Sequence, residues 1–236
     1  MALKDIPRDA LHTRILQKIQ QEKDVCIEKG VQWDFSPQTA FSVIDVILDT
    51  YKKIYGEDHR RRSRRLTVSH WCAVGGYNDQ REIANPRLTD GERIIGLLHD
   101  VFEDTQLTFE DARAWGILDE DIYSLDCLTR RVKTDGTKEP WFDYLDRIVT
   151  DLRAISRKKR DISDNIYGID PLKGDYKIRR ILSMQYLIAA QKPNFSVEKF
   201  IESQSNPSNI SIAFKMISEG SSQSINLPHR DLQVVG

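Results

Sequence analysis

Ile94-Ile95-Gly96-Leu97-Leu98-His99-Asp100-Val101-Phe102-Glu103-Asp104-Thr105 is an apolar run that ends in four groups able to bind a metal or move a proton. The spacing predicts a helix from Ile94 through Glu103. It is entered from the loop Asn85-Pro86-Arg87-Leu88-Thr89-Asp90-Gly91-Glu92, with Thr89 or Asp90 as its cap. On that helix His99 and Glu103 are four residues apart, as are Asp100 and Asp104, so the two pairs follow neighbouring stripes of one side. Charged residues at a helix end are ordinarily solvated. Here the preceding run points into a core, so some of these groups are partly buried and need partners or a cation.

Helical signals continue on both sides. Leu11 to Lys29 carries Leu11, Ile15, Leu16, Ile19 and Val25 among polar residues and stops at Gly30. Ser36 as N-cap and Pro37 at the first helical position open a second helix, whose apolar set Phe41, Ile44, Ile47, Leu48 and Tyr51 runs on to Gly56. Downstream, Thr108-Phe109-Glu110-Asp111 opens a helix ending near Gly116. Further helices are expected over Asp119 to Thr129 and, after a polar loop from Lys133 to Glu139, from Pro140 to Ile155. Before residue 190 nothing has the period of a strand, and the expected fold class is all-α. Past Gln191-Lys192-Pro193 the chain turns rich in Ser, Asn and Gln, with a short helix at Val197 to Ser203. An apolar patch from Ile210 to Ile217 suits either helix or strand, and a polar tail or arm follows from Ser221 to Gly236. The expected organisation is an N-terminal helical pair (1–56), a core (57–190) and a polar C-terminal appendage (191–236).

The chain has 236 residues and a net charge of −1 from 35 basic and 36 acidic side chains, which argues against a nucleic-acid coat and leaves an anionic ligand to be met by a local patch. The scattered Cys26, Cys72 and Cys127 read as reduced thiols. Neither a signal-peptide core nor an apolar run near the roughly 20 residues of a membrane span is present, so no membrane partner and a cytoplasmic location are expected. There is no phosphate-binding loop, nucleotide-binding glycine fingerprint or Ser-His-Asp arrangement.

Two distant positions extend the central cluster: His70 upstream, and Asp161 in Arg157-Lys158-Lys159-Arg160-Asp161-Ile162-Ser163-Asp164-Asn165. Two imidazoles and two carboxylates make a mixed N/O shell suited to Mn²⁺, Fe²⁺, Co²⁺ or Zn²⁺, with positions left open for water. His70, then His99-Asp100, then Asp161 resembles the H…HD…D pattern of the HD-domain metal-dependent phosphohydrolases. With His-Asp-x-x-Glu-Asp-Thr, Leu128-Thr129-Arg130 and Asp161-x-x-Asp164-Asn165, the likeness is nearest to the hydrolase domain of RelA/SpoT-type enzymes and their small stand-alone relatives, over about Arg60 to Asn165.

That resemblance implies a helical HD domain that removes 3′-pyrophosphate from guanosine tetra- and pentaphosphate. It implies one divalent ion, Mn²⁺ in the family, on His70, His99, Asp100 and Asp161, with Glu103 and Asp104 orienting or deprotonating the attacking water and Asn165 near the ribose or base. Around the first ligand the relatives usually have Gly-x-Pro-Tyr-Ile-x-His-Pro where this chain has Arg65-Leu66-Thr67-Val68-Ser69-His70-Trp71, a difference that bears on substrate more than on metal. The basic run His59 to Arg65 reads as a solvated face or turn, as a weak nucleic-acid patch, which the near-neutral charge disfavours, or as a phosphate contact through Arg61, Arg64 or Arg65, with Lys158 and Arg160 as further candidates.

The expected partner is a small-molecule nucleotide. The runner-up activity is hydrolysis of a (d)NMP or (d)NTP, and the reading from another class is a silent nucleotide-binding HD scaffold; a homo-oligomer stays open. Trp33, Trp115, Trp141, Phe109, Phe142 and Tyr144 read as core, Cys72 as a small buried residue, and His12 and His229 as surface groups.

Overall fold

Ser36 accepts a hydrogen bond from the Thr39 amide, Pro37 occupies the first helical position, and Gly56 closes the helix at φ 77°. These signals bound α2 (Pro37–Tyr55), which follows α1 (Arg8–Glu28) and packs against it. The computed structural model describes residues 3–56, 68–78, 80–167, 174–204 and 206–218, and over these the chain is all-α, with only the isolated bridges Tyr77–Ala84 and Val132–Lys138. Arg61, Arg64, Arg65 and His229 lie outside the described residues.

After α3 (Val68–Gly75) comes α4 (Asp90–Leu98), opened by a reciprocal capping box in which Thr89 accepts from the Glu92 amide and the Glu92 side chain accepts from the Thr89 amide. The expected continuous helix from Ile94 to Glu103 is instead divided. His99-Asp100 forms a turn, and α5 (Val101–Asp104) follows. The reason is local: Nδ1 of His99 donates to the Gly96 carbonyl at 2.8 Å, a bond that folds the ring back onto its own helix.

A second capping box, Thr108 with Asp111, opens α6 (Phe109–Trp115), which ends at Gly116 with φ 96°. Next are α7 (Asp119–Leu128), α8 (Trp141–Val149), α9 (Leu152–Tyr167), α10 (Gly174–Ala189), α11 (Val197–Glu202) and α12 (Pro207–Ser218). The single helix expected over Pro140 to Ile155 is two, because the Asp151 carboxylate accepts from the amides of Arg153 (2.7 Å) and Ala154 (3.4 Å) and so starts α9 anew. The ambiguous patch beginning at Ile210 is helical, within α12, and buries Ile212 and Ala213.

One hydrophobic cluster runs from Leu3 and Ile6 through Trp71, Leu97, Trp115 and Ile162 to Phe200 and Ala213, so α11 and α12 contribute to the same core as the helices before residue 190. His12, expected at the surface, stands 2.9 Å from the buried Asp111 carboxylate and stacks on Trp115. Cys26, Cys72 and Cys127 are free thiols. Among the described residues no helix is long and apolar enough to cross a membrane.

The contact that positions the site is the crossing of α3 and α4. A Cβ added at Gly96 would collide with the Val74 carbonyl oxygen and stand 2.8 Å from the Gly75 Cα; one added at Gly75 would stand 2.7 Å from Leu97 Cγ. Backbone therefore rests on backbone, and the two helices approach closely enough to set their histidines side by side. On the same side α9 packs across α3.

Candidate metal centre

His70 comes from α3, His99 and Asp100 from the turn after α4, and Asp161 from α9. The imidazoles are edge to face with centroids 5.1 Å apart. Each Nε2 points at both carboxylates. From His70 the distances are 3.5 Å to Asp100 Oδ2 and 3.6 Å to Asp161 Oδ1, and from His99 they are 3.2 and 3.8 Å to the same two oxygens. Donors held at about 2.1 Å by one ion lie roughly 3.0–3.5 Å apart when adjacent, so the His70, His99 and Asp100 separations suit a single ion with little adjustment, and Asp161 Oδ1 stands slightly farther out at 3.6 and 3.8 Å. The donor atoms of His70, His99 and Asp100 all fall within 4.8 Å of one another.

Both rings are held by the nitrogen that faces away from this centre. His70 Nδ1 meets Asp164 Oδ2 at 2.8 Å, and His99 Nδ1 donates to the Gly96 carbonyl. A carboxylate or carbonyl on Nδ1 fixes the tautomer that offers the Nε2 lone pair to a metal. The residues fit a cation on a further count. Both Nε2 atoms are buried and make no hydrogen bond, an arrangement that costs free energy unless something else occupies them.

The electrostatics agree with the geometry. Burial pulls the His70 pKa down, but the flanking Asp100 and Asp164 carboxylates and the charge of Asp161 outweigh it and raise the group to about 9. In the metal-free protein His70 thus carries a proton at neutral pH, which an incoming ion must displace. Burial pushes Asp100 upward, yet the charge of His99 and the contact with His70 hold it well below the usual carboxylate range. Asp161 behaves likewise: burial raises it, but Lys158 and then His99 bring it down to about 2. Lys158, almost fully buried, lies 2.7 Å from Asp161 Oδ2, and that carboxylate overcomes the burial penalty and raises the ammonium above its ordinary value.

Asp100 and Asp161 open into a pocket of about 120 Å³ lined also by Glu103, Arg130, Lys138, Trp141, Tyr144, Lys158, Asn165, Tyr176, Arg179 and Arg180. Five cations and three carboxylates meet there. Arg180 is buried, its Nη1 3.9 Å from Asp161 Oδ2 and its Nη2 donating to the Tyr176 hydroxyl at 3.0 Å. The guanidiniums of Arg130, Arg179 and Arg180 all lie over the Trp141 ring, at 4.9, 5.5 and 5.8 Å from its centroid. No protein-family model matches the chain, and neither a curated protein nor a solved structure matches it.

Of the residues singled out from the sequence, His70, His99, Asp100 and Asp161 converge, and Glu103, Lys158 and Asn165 line the adjoining pocket. Asp104, one residue beyond Glu103, is not among the lining residues. Asn165 donates to the Asp161 backbone carbonyl at 2.9 Å and to Oδ1 of the same residue, so it fixes a ligand rather than reaching outward. Arg160 faces away, its Nε donating to the Ala73 carbonyl at 3.1 Å. Trp141, expected as core, is also a wall of the pocket. Sequence reasoning missed Arg179 and Arg180, and gave Arg130, Lys138 and Asp164 no part in the site. The available signal was the charged pair Arg179-Arg180 between apolar Ile178 and Leu182 on one helix.

Proposed function

We propose that this chain is a metal-dependent phosphohydrolase of the HD type, cleaving a phosphate or pyrophosphate ester of a nucleotide. The favoured reaction is release of 3′-pyrophosphate from guanosine tetra- or pentaphosphate. One observation carries the reaction class: two imidazole Nε2 atoms without hydrogen-bond partners and two carboxylates converge at a pocket where cations outnumber carboxylates. The favoured nucleotide rests on the resemblance of His99-Asp100-x-x-Glu103-Asp104-Thr105 and its companion motifs.

His70, His99, Asp100 and Asp161 would hold the divalent ion, expected to be Mn²⁺, with Fe²⁺, Co²⁺ and Zn²⁺ as alternatives. Bound there, it supplies Lewis acidity and a water of lowered pKa. The remaining steps belong to the chain. Arg130, Arg179, Arg180 and Lys138 draw phosphoryl oxygens into the pocket, and guanidinium forks match those oxygens two at a time. The Trp141 face beneath three guanidiniums keeps them aimed. Glu103 accepts from Lys138 Nζ at 2.9 Å; when substrate phosphate takes up that lysine, the carboxylate is released to orient or deprotonate the attacking water. Lys158 and Asn165 hold Asp161 from two sides.

At about 120 Å³ the pocket is a little smaller than a cavity of about 150 Å³ that admits benzene, so it takes a phosphoryl-sized group while the nucleoside remains outside. Metal analysis of the purified protein, with a nucleotide panel in Mn²⁺ resolved by chromatography, tests the reading. One ion per chain and conversion of guanosine tetraphosphate to GDP and pyrophosphate is the expected result. Phosphate or triphosphate from a (d)NMP or (d)NTP would transfer the assignment to the runner-up, and absence of both metal and turnover would overturn it.

A further inference from the structure

The helix that carries Asp161 has a second working face. Lys158, Asp161 and Asn165 lie toward the metal pocket, whereas Ser156, Arg157, Lys159, Arg160 and Ser163 line a separate cleft of about 720 Å³ between α9, the end of α3 and the loop that follows it. The two cavities share no lining residue. The cleft differs from the metal pocket in a way that calls for a ligand: among the described residues three cations line it and no carboxylate does.

Arg157 is the informative member. Only 6% exposed, it spends Nη1 on the Val74 carbonyl (2.9 Å) and Nη2 on Ser156 Oγ (2.9 Å), while its buried Nε finds no acceptor. Among the described residues no carboxylate lies within ion-pairing distance of Arg157, Lys159 or Arg160, although most buried charges in proteins are paired. Burial accordingly pulls the Arg157 guanidinium below its ordinary value, with Glu92 offsetting that only in part. Opposite the cations the wall is apolar and aromatic, made by Tyr77, Ile83, Leu88 and Met184. Tyr77 is braced by an edge-to-face contact with Phe41 at 4.9 Å.

We propose that this cleft is a second ligand site, distinct from the metal pocket, which binds a mononucleotide with its phosphates on Arg157, Lys159 and Arg160 and its base against Tyr77, Ile83 and Met184. Size separates a nucleotide from a bare phosphate. The volume falls inside the roughly 300–1,000 Å³ range of small-molecule sites, and an inorganic anion would leave the apolar wall wet. Concavity and the near-neutral chain favour a small anion over a nucleic-acid strand.

Isothermal titration of the full-length protein with GTP, GDP, ATP, GMP, pyrophosphate, inorganic phosphate and a short single-stranded RNA tests this site. The same titration is run on His99→Ala and on the double variant Lys159→Glu/Arg160→Glu. A nucleoside phosphate is expected to bind wild type and His99→Ala alike, and the double variant at least about tenfold more weakly, as two charge-assisted contacts predict. Four results would overturn the proposal: loss of binding in His99→Ala with retention in the double variant, phosphate or pyrophosphate binding as tightly as any nucleotide, preference for RNA, or no binding at about 1 mM nucleotide. Should the double variant fail to fold, lysine acylation of the wild-type protein read by mass spectrometry decides the matter. Nucleotide must protect Lys159, and unchanged labelling there sinks the site.

Discussion

Two cavities lie on opposite faces of α9, and adjacent residues of that helix serve them differently. Lys158 points into the metal pocket, is buried, and is paired with Asp161 at 2.7 Å; Lys159 points into the larger cleft and has no carboxylate within reach among the described residues. In the smaller pocket Asp100, Glu103 and Asp161 each meet a named basic or imidazole partner, and Arg130 and Arg179 stack over Trp141. Among the described residues no carboxylate lines the cleft. The difference is that three carboxylates balance part of the positive charge in the smaller pocket, whereas none of the described ones does so in the cleft.

The largest expected effect comes from removing a ligand on the metal side. His99→Ala should abolish stoichiometric metal and all turnover with either proposed nucleotide class, checked by metal analysis and product chromatography; retained metal would mean that the donors do not act as a set. Next comes Lys158→Met, which leaves Asp161 buried with Arg180 and Asn165 as weaker support. It should cost about 3 kcal/mol in denaturant unfolding.

The same substitution carries a pH signature. Asp161 is held near 2, so its contribution to stability is full above the unfolded carboxylate value near 4 and disappears as pH falls toward 2. Without Lys158 the folded pKa rises, and the chelated variant should begin to lose stability at a higher pH than chelated wild type. Coincident acid limbs would show that Lys158 does not set this group.

A smaller effect is expected at Asp164→Asn. It leaves every metal-binding donor in place but weakens the carboxylate that fixes the His70 tautomer, so metal affinity should fall about 10–100-fold by competition titration with the ion still bound at saturation. The smallest is Lys159→Met, which should change unfolding stability by no more than about 0.5 kcal/mol. A loss like that of Lys158→Met would erase the contrast between the two faces.

Of the four candidate ligands, His99 and Asp100 stand out in a local pattern, whereas His70 and Asp161 carry little signal alone and are joined to them by the H…HD…D resemblance. His99-Asp100 closes an apolar run, and Thr89 with Glu92, Thr108 with Asp111, and Ser36 with Pro37 announce helix starts through side chains that bond backbone within a turn. The cationic side of the pocket was not legible. Arg130, Lys138 and Arg179-Arg180 come from separate stretches of sequence, and only tertiary packing gathers them over Trp141. The break at Thr150-Asp151 escaped for a related reason: the apolar period through Ile148, Leu152 and Ile155 continues across it, and one aspartate bonding two amides outweighs that period. That the cleft cations have no carboxylate within reach among the described residues could not be read either, since pairing is a property of distance.

The contact of Gly96 on Val74 and Gly75 has a consequence for how the candidate centre would respond to an ion. Where Gly96 rests on Val74 and Gly75 the contact is backbone on backbone, with Leu97 filling the space over Gly75, so no rotamer beneath Gly96 has to rearrange and backbone stiffness helps to set the separation of the imidazoles. The ordering entropy of the two rings is therefore lost when the protein folds and not when metal arrives. An ion bound as proposed would meet a cradle already standing and would have to displace the His70 proton.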